Sequence, residues 1–118
     1  SYLKHQGQVF VDRFDANSYL YITRAMDYFD LPSQKKGGLE NIYKKTPVKF
    51  CVISFTSDWV YPTKYSKEIV DSLNAVGANV SFVEIETDKG HDAFLLDEKE
   101  FNETVRGFLK ATSSKLNF

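Results

Sequence analysis

The chain has 118 residues, 42% of them hydrophobic, which suits one domain with a modest core. Its 15 Lys and Arg residues nearly balance its 16 Asp and Glu residues, which argues against a nucleic-acid or anionic-lipid partner. The single cysteine excludes an intramolecular disulfide, and no apolar run approaches the roughly 20 residues that cross a bilayer. We therefore expect a cytoplasmic protein, or a piece of one, with no membrane partner.

The first part of the chain predicts helices and loops. Residues Asn17–Phe29 carry apolar side chains at helical spacing, with Asn17 available as the N-cap. Pro32 ends this helix, because proline disfavours helical geometry in the residue before it. The helical character of residues 1–12 stays open. A solvated loop and a short helix are expected to follow, at Ser33–Gly38 and Leu39–Lys45.

The second part alternates between strands and helices. Val48–Phe55 is nearly all apolar and β-prone, which is typical of a strand buried on both faces. An amphipathic helix around Leu73, a second strand at Val80–Ile85 and a last helix around Phe101–Leu109 follow. This order favours an α/β fold with parallel strands and crossover helices. Two strands need cover, either from the preceding segment or from a partner or missing N-terminal part, and the second source is favoured.

Two polar loops follow the predicted strands, at Thr56–Thr63 and Thr87–Asp92. Because the carboxyl ends of adjacent parallel strands meet at one edge of a sheet, Asp58 and His91 should lie close together. A carboxylate beside an imidazole fixes its tautomer and stabilises the imidazolium formed when histidine accepts a proton. The order Asp then His also matches the α/β-hydrolase order of Ser, Asp and His.

The nucleophile that such a pair would serve is missing from the sequence. No Gly-x-Ser-x-Gly elbow occurs among the six glycines, and Cys51 lies in the middle of a predicted strand. Pattern alone leaves two alternatives open, a turn or capping role for Asp58 and a solvated loop position for His91. Acidic residues flank His91, but one histidine without paired ligand spacing argues against zinc.

Three blocks of sequence resemble homoserine O-acetyltransferases. They are SFTSDWVYPT (Ser54–Thr63), VSFVEIETDKGHDAFLLD (Val80–Asp97) and FVDRFDANSYLYITRAMDYFD (Phe10–Asp30). The first two are similar to the family pattern SF-x-SDWL-[YF]-P, VS-[YF]-VEI and GHDAFLL, with Val60 where leucine is usual. The resemblance implies the C-terminal portion of an α/β-hydrolase fold. Residues 1–47 would be a helical segment from the lid to the core with a flexible loop, and residues 48–118 the last β-α-β-α part of the core.

The resemblance also implies roles for three residues. Asp58 matches the triad acid, His91 the triad base, and Asp92 the carboxylate that contacts the ammonium group of homoserine. The serine nucleophile would lie in a missing N-terminal part, so this chain alone is predicted to be inactive. The implied reaction transfers acetyl from acetyl-CoA, a co-substrate, to L-homoserine in methionine biosynthesis. No metal or resident cofactor is expected, and the full-length protein is expected to form a homodimer.

Three alternatives remain at this point. The acyl donor could be succinyl-CoA or the acceptor serine, since the acyl-binding residues would lie upstream. An esterase on the same fold is a second alternative, although a plain hydrolase has no need of Asp92 to bind an ammonium group. The third is a non-catalytic fragment.

Overall fold

The computed structural model describes residues 1–34 and 36–114. Lys35, in the expected flexible loop, and the last four residues of the expected 48–118 core segment lie outside the described part. The elements are α1 Tyr2–Arg13, α2 Ala16–Asp27, α3 Gly38–Tyr43, β1 Lys49–Phe55, α4 Thr63–Ala75, β2 Asn79–Ile85 and α5 Lys99–Ser113, with 3-10 turns at Pro32–Gln34 and His91–Leu95. The predicted order of strand, helix, strand and helix is confirmed. The division at residue 47 stays a prediction.

Strands β1 and β2 form a parallel pair, as predicted for an α/β fold. The register runs from Lys49 opposite Asn79 to Phe55 opposite Ile85. Helix α4 connects the strands and packs against both, and Gly77 reverses the chain after it with φ 68°. This left-handed conformation favours glycine, so the residue suits the turn between α4 and β2. The carboxyl ends of both strands therefore lie at one edge of the sheet.

The buried core is small and sits at that same edge. Phe55, Ile85 and Ala93 form it, with Phe101 of α5 packed against them. Leu73 of α4 is the other fully enclosed apolar side chain in the described part of the chain. The expectation that the first strand is buried on both faces is met only near its end, since Lys49–Ile53 are half-buried. In the described residues the sheet has two strands, so much of it is left without a covering layer.

The N-terminal helices contribute little to this core. Between Ser1 and Asp30 every residue is exposed except Thr23, which is half-buried. The radius of gyration is 18.5 Å, whereas a compact domain of about 100 residues has a value near 13 Å. The aromatic and aliphatic side chains of α1 and α2 thus lie outside the packed part of the molecule. No helix within residues 1–34 and 36–114 has both the length and the apolarity to cross a membrane.

Helix α2 begins and ends earlier than its apolar spacing predicts. Its N-cap is Asp15, not Asn17, because the Asp15 carboxylate accepts a hydrogen bond of 2.7 Å from the Ser18 N–H. Asn17 lies inside the first turn, where its side chain is not placed to cap. The helix ends at Asp27, two residues before Phe29.

Replacing Leu73 with alanine tests how much the buried face of α4 contributes to stability. Its side chain is fully buried, so the substitution should reduce the free energy of unfolding by about 2–5 kcal/mol. Leu109→Ala, at a position 59% exposed on α5, is the control and should change it by less than about 1 kcal/mol. Urea unfolding of the two variants measures the difference. Equal losses would show that α4 is not anchored through Leu73.

Candidate active site

The strand register determines where the two polar loops begin. Phe55 and Ile85 are paired, and the ladder continues because the Thr56 N–H donates to the Ile85 carbonyl at 3.0 Å. Asp58 follows three residues after Phe55, and His91 six residues after Ile85. The two loops therefore leave the same edge of the sheet and run alongside each other.

Asp58 divides its two carboxylate oxygens between two tasks. One oxygen, Oδ1, accepts hydrogen bonds of 2.9 Å from the N–H groups of Val60 and Tyr61. The other, Oδ2, lies 2.9 Å from Nδ1 of His91. The turn role that pattern alone left open for Asp58 and the pairing with His91 are thus compatible. The backbone fixes the carboxylate, and the carboxylate in turn fixes the imidazole.

The environment of Asp58 favours its charged form. Only 9% of the residue is exposed, and this desolvation raises the pKa of its carboxyl group. The hydrogen bonds from His91, Tyr61 and Val60 act in the opposite direction and outweigh burial, so the pKa lies below its ordinary value of 3.8. At neutral pH the carboxylate is an anion that only accepts hydrogen bonds. Nδ1 of His91 must therefore be the donor.

This hydrogen bond sets the tautomer of His91. With the proton on Nδ1, a neutral ring keeps its lone pair on Nε2. Nε2 has no hydrogen-bond partner among the residues that the structure describes. The rings of Tyr61 and Phe94 flank the imidazole, with centroids 5.2 and 5.9 Å away. The arrangement presents a held imidazole whose free nitrogen is able to accept a proton.

A cavity of about 250 Å³ adjoins the imidazole and opens to solvent. Its lining consists of four apolar or aromatic side chains, Ile53, Phe55, Tyr61 and Phe94, and four polar ones, Ser54, Asp58, Ser66 and His91. The hydroxyl of Thr63 donates to the buried Ser54 hydroxyl at 3.1 Å, which ties the start of α4 to β1 beside this cavity. The site thus combines a shielded carboxylate with an accessible ring.

Asp92 is placed differently from the other two predicted site residues. It is exposed in the first turn of the His91–Leu95 segment and does not line the cavity. The structure brings Asp58 and His91 together and leaves Asp92 on the surface beside them. Its assignment to substrate binding stays a prediction.

Several features of the site escaped prediction from the sequence. His91 opens a 3-10 turn, where the pattern predicted only a loop. The hydroxyl of Ser57 accepts a 2.9 Å hydrogen bond from the Gly90 N–H, and Thr56 bonds the backbone of Thr87. The only sequence signal for these hydrogen bonds was the presence of two consecutive hydroxyl residues directly before Asp58. Their partners lie more than 30 positions away, so spacing did not reveal them.

No cluster of three or more histidine, cysteine, aspartate or glutamate side chains suited to a metal ion occurs within residues 1–34 and 36–114. Glu98, an acidic residue seven positions after His91, is engaged in other contacts. Glu98 forms an ion pair with Lys89 and accepts a hydrogen bond of 3.3 Å from the Thr87 hydroxyl. Hydrogen bonding to Lys89 lowers the pKa of Glu98 and raises that of Lys89.

The geometry is that of an acid–base pair at the carboxyl edge of a parallel sheet, an arrangement found in α/β enzymes that act through a nucleophile.

No protein-family model matches the chain. Curated proteins do match it, and those named here are homoserine O-acetyltransferases. The protein from Rhodospirillum rubrum is 64% identical over 109 residues, which is 92% of this chain and 28% of that protein. The one from Pelagibacter ubique is 63% identical over 115 residues, 98% of this chain and 31% of that protein.

A third relative, from Gluconobacter oxydans, is 62% identical over 92% of this chain and 28% of its own length. The chain belongs to the homoserine O-acetyltransferase family, as the sequence blocks around Asp58 and His91 predicted. It spans less than a third of the length of the relatives it matches. The predicted correspondence to a C-terminal portion is confirmed.

A titration of Asp58 tests the electrostatics of the pair. Its ¹³C carboxyl resonance should titrate with a pKa below 3.8, assigned by its absence in Asp58→Asn. Since the folded pKa is the lower one, the stability that the carboxylate contributes is complete above the unfolded pKa and is lost as pH falls through the folded pKa. The Asp58→Asn variant should therefore lose less stability on acidification than the parent chain. A carboxyl pKa at or above 3.8 would contradict this account of the site.

Proposed function

We propose that the full-length protein transfers the acetyl group of acetyl-CoA to the hydroxyl of L-homoserine through a Ser-His-Asp triad. Asp58 and His91 are the acid and base, and the serine belongs to the part of the protein outside this sequence. The observation that carries the proposal is the 2.9 Å contact between Nδ1 of His91 and Asp58, which leaves Nε2 free. It occurs in a segment at least 60% identical to proteins named homoserine O-acetyltransferase.

The first half-reaction forms an acyl-enzyme. Nε2 of His91 takes the proton of the serine hydroxyl as its oxygen attacks the thioester carbonyl of acetyl-CoA. The carbon–sulfur bond breaks, and the departing sulfur takes the proton from the imidazolium to leave as CoA thiol. Asp58 stabilises the imidazolium between these two proton transfers, because its carboxylate is already held as an anion by Val60 and Tyr61.

The second half-reaction transfers the acetyl group to the acceptor. Nε2 takes the proton of the homoserine hydroxyl, whose oxygen attacks the acyl-serine carbonyl. The ester bond to serine breaks, and the serine oxygen regains a proton from the imidazolium, which leaves O-acetylhomoserine. Water must be kept away, or the acyl-enzyme is hydrolysed. The Tyr61 and Phe94 rings beside His91 support this requirement, since they place apolar surface around the base.

Asp92 is proposed to contact the ammonium group of homoserine. Its exposed carboxylate belongs to the residue that directly follows His91, and its negative charge complements the ammonium group of an amino-acid acceptor. Opposite charges attract, more strongly once the full-length protein excludes solvent. The proposed reaction uses acetyl-CoA as co-substrate and needs no metal or resident cofactor.

The architecture proposed for the whole protein is an α/β-hydrolase fold. Elements β1, α4, β2 and α5 would form the last part of its core, and α1 and α2 would connect that core to a lid. The parallel strands and the exposed apolar side chains of α1 and α2 support this, because both need further layers for cover. The expected homodimer stays a prediction.

The names of the relatives support one choice among the acyl donors and acceptors left open by the sequence. The relatives described above are named for acetyl transfer to homoserine, not for succinyl transfer or a serine acceptor. Asp92 further favours an amino-acid acceptor over water. An O-acetyltransferase is therefore the preferred proposal over an esterase.

Substitutions at the pair test the catalytic roles. In the full-length protein, His91→Ala and Asp58→Asn should each lower kcat by about 10³- to 10⁴-fold, because the base or its correct tautomer is lost. CoA release from acetyl-CoA and homoserine, followed with a thiol reagent, measures the effect. His5→Ala, at the other histidine of this chain, which is exposed, is the matched control and should retain activity. Normal turnover by the His91 variant would end the proposal.

Asp92→Asn separates acceptor binding from acyl-enzyme formation. The amide keeps the shape of the side chain but loses the charge, so the KM for homoserine should rise about 10-fold or more. The burst of CoA release that accompanies acylation should be unchanged in stopped-flow experiments. Asp88→Asn, in the same loop, is the control. If the acylation burst in Asp92→Asn falls by as large a factor as the KM for homoserine rises, Asp92 acts on the base and not on homoserine.

A further inference from the structure

We propose that two consecutive hydroxyls, those of Thr56 and Ser57, are positioning groups that hold the His91 loop against the Asp58 loop. The two residues are called the hydroxyl clamp below. The inference rests on the proposed function, because the clamp acts through Asp58 and His91 and touches no substrate. It adds residues that govern how well the base is presented to the nucleophile.

Thr56 holds the beginning of the His91 loop. Its Oγ1 accepts a hydrogen bond of 3.1 Å from the Thr87 N–H and donates one of 3.2 Å to the Thr87 carbonyl. One hydroxyl thus satisfies both backbone groups of a single residue, which its donor and two lone pairs permit. Backbone pairing of the strands ends at Thr56, whose N–H bonds Ile85. The side chain therefore continues the connection between the loops beyond the end of the ladder.

Ser57 holds the other end of the loop, next to the base. Its Oγ accepts a 2.9 Å hydrogen bond from the N–H of Gly90, the residue before His91. Gly90 has φ 69° and ψ −153°, a conformation that is essentially restricted to glycine. Such a residue has wide backbone freedom of its own, so an external contact is needed to select one conformation. The Ser57 hydroxyl supplies that contact, and it lies directly before Asp58 in the chain.

The clamp joins the two loops, as the bond between Asp58 and His91 does, whereas the contacts of the His91 loop with Glu98 stay on its own side. Lys89 pairs with Glu98, and the Thr87 hydroxyl donates to the same carboxylate at 3.3 Å. Glu98 precedes α5 and belongs to the same stretch of chain as His91. Loss of the Lys89–Glu98 pair would loosen the loop without changing its distance from Asp58. Lys89 therefore provides a matched control for the clamp.

The clamp also explains how a base on a loop keeps hydrogen-bond distance from its carboxylate. Nδ1 of His91 and Oδ2 of Asp58 are 2.9 Å apart across the two loops. Asp58 is fixed by its own turn, so the remaining freedom lies in the chain that leads to His91. A displacement of about 1 Å at a reacting group is enough to reduce turnover about 100-fold. Two hydroxyl contacts remove that freedom at both ends of the loop.

Variants of the full-length protein test the proposal by turnover. Ser57→Ala and Thr56→Val should each lower kcat about 10- to 100-fold, with the KM values for acetyl-CoA and homoserine changed by less than about twofold. Thr56→Ser and Ser57→Thr keep the hydroxyls and should restore most of the activity. Lys89→Gln should stay within about twofold of the parent. Thermal unfolding of each variant identifies any that fail to fold. If Ser57→Ala fails to fold, the comparison of Thr56→Val with Thr56→Ser decides the outcome.

A spectroscopic measurement follows the hydrogen bond itself. The Nδ1 proton of a histidine bonded to a carboxylate gives a far-downfield ¹H resonance, which His91→Ala would assign by its loss. The resonance should weaken or disappear by solvent exchange in Ser57→Ala and Thr56→Val, and it should persist in Thr56→Ser and Lys89→Gln. A change confined to overall stability would not produce this pattern.

The outcomes separate the clamp from the proposed function. If His91→Ala abolishes turnover while Ser57→Ala and Thr56→Val behave like Lys89→Gln, the clamp is refuted and the triad stands. If His91→Ala turns over normally, both proposals fail. Loss of kcat with retained KM, rescue by the hydroxyl-bearing variants and loss of the downfield resonance together support the clamp.

Discussion

The pairing of Phe55 with Ile85 is the constraint on which the site depends. Parallel strands in this register release two loops from the same edge of the sheet, so residues 33 positions apart in sequence come within hydrogen-bond distance. Burial is concentrated at the same place, since Phe55, Ile85 and Ala93 form the core directly beneath these loops. The most firmly packed part of the described structure is therefore the part that supports Asp58 and His91.

Hydrogen bonds to both carboxylate oxygens of Asp58 keep this residue charged. Burial alone would favour the neutral acid, which would be a poorer partner for an imidazolium. Two backbone N–H groups on Oδ1 and the imidazole on Oδ2 reverse that preference. The same bonds that keep the group ionised also orient it. A single turn thus supplies both the electrostatics and the geometry that a proton-accepting histidine requires.

The sequence predicted what depends on local pattern and on strand order. The apolar run around Cys51 and the amphipathic spacing around Leu73 identified the strand and the helix. Asp58 and His91 lie in loops that follow consecutive parallel strands, and this was enough to predict that the two residues lie close together. The contacts that hold the pair were not predictable in this way. Bonds between residues more than 30 positions apart, such as Ser57 to Gly90, depend on loop conformations that spacing does not encode.

The N-terminal helices show a second limit of pattern reasoning. Apolar spacing identified α2 but misplaced its cap, because the residue that caps it lies before the apolar stripe begins. The same spacing indicates a buried face, yet Tyr19, Ile22 and Met26 are more than half exposed. Such a face is stabilised only when another layer covers it. The 28 to 31% of the relatives' length that the chain spans is consistent with covering layers contributed by the rest of the protein.

The proposed triad requires that Nε2 of His91 face a hydroxyl nucleophile supplied from outside this sequence. A crystal structure of the full-length protein tests it most directly. We expect a serine Oγ within about 3 Å of Nε2, with the bond between Nδ1 and Asp58 retained. An intact sheet in which Nε2 meets only solvent or apolar side chains, with no hydroxyl in reach, would contradict it.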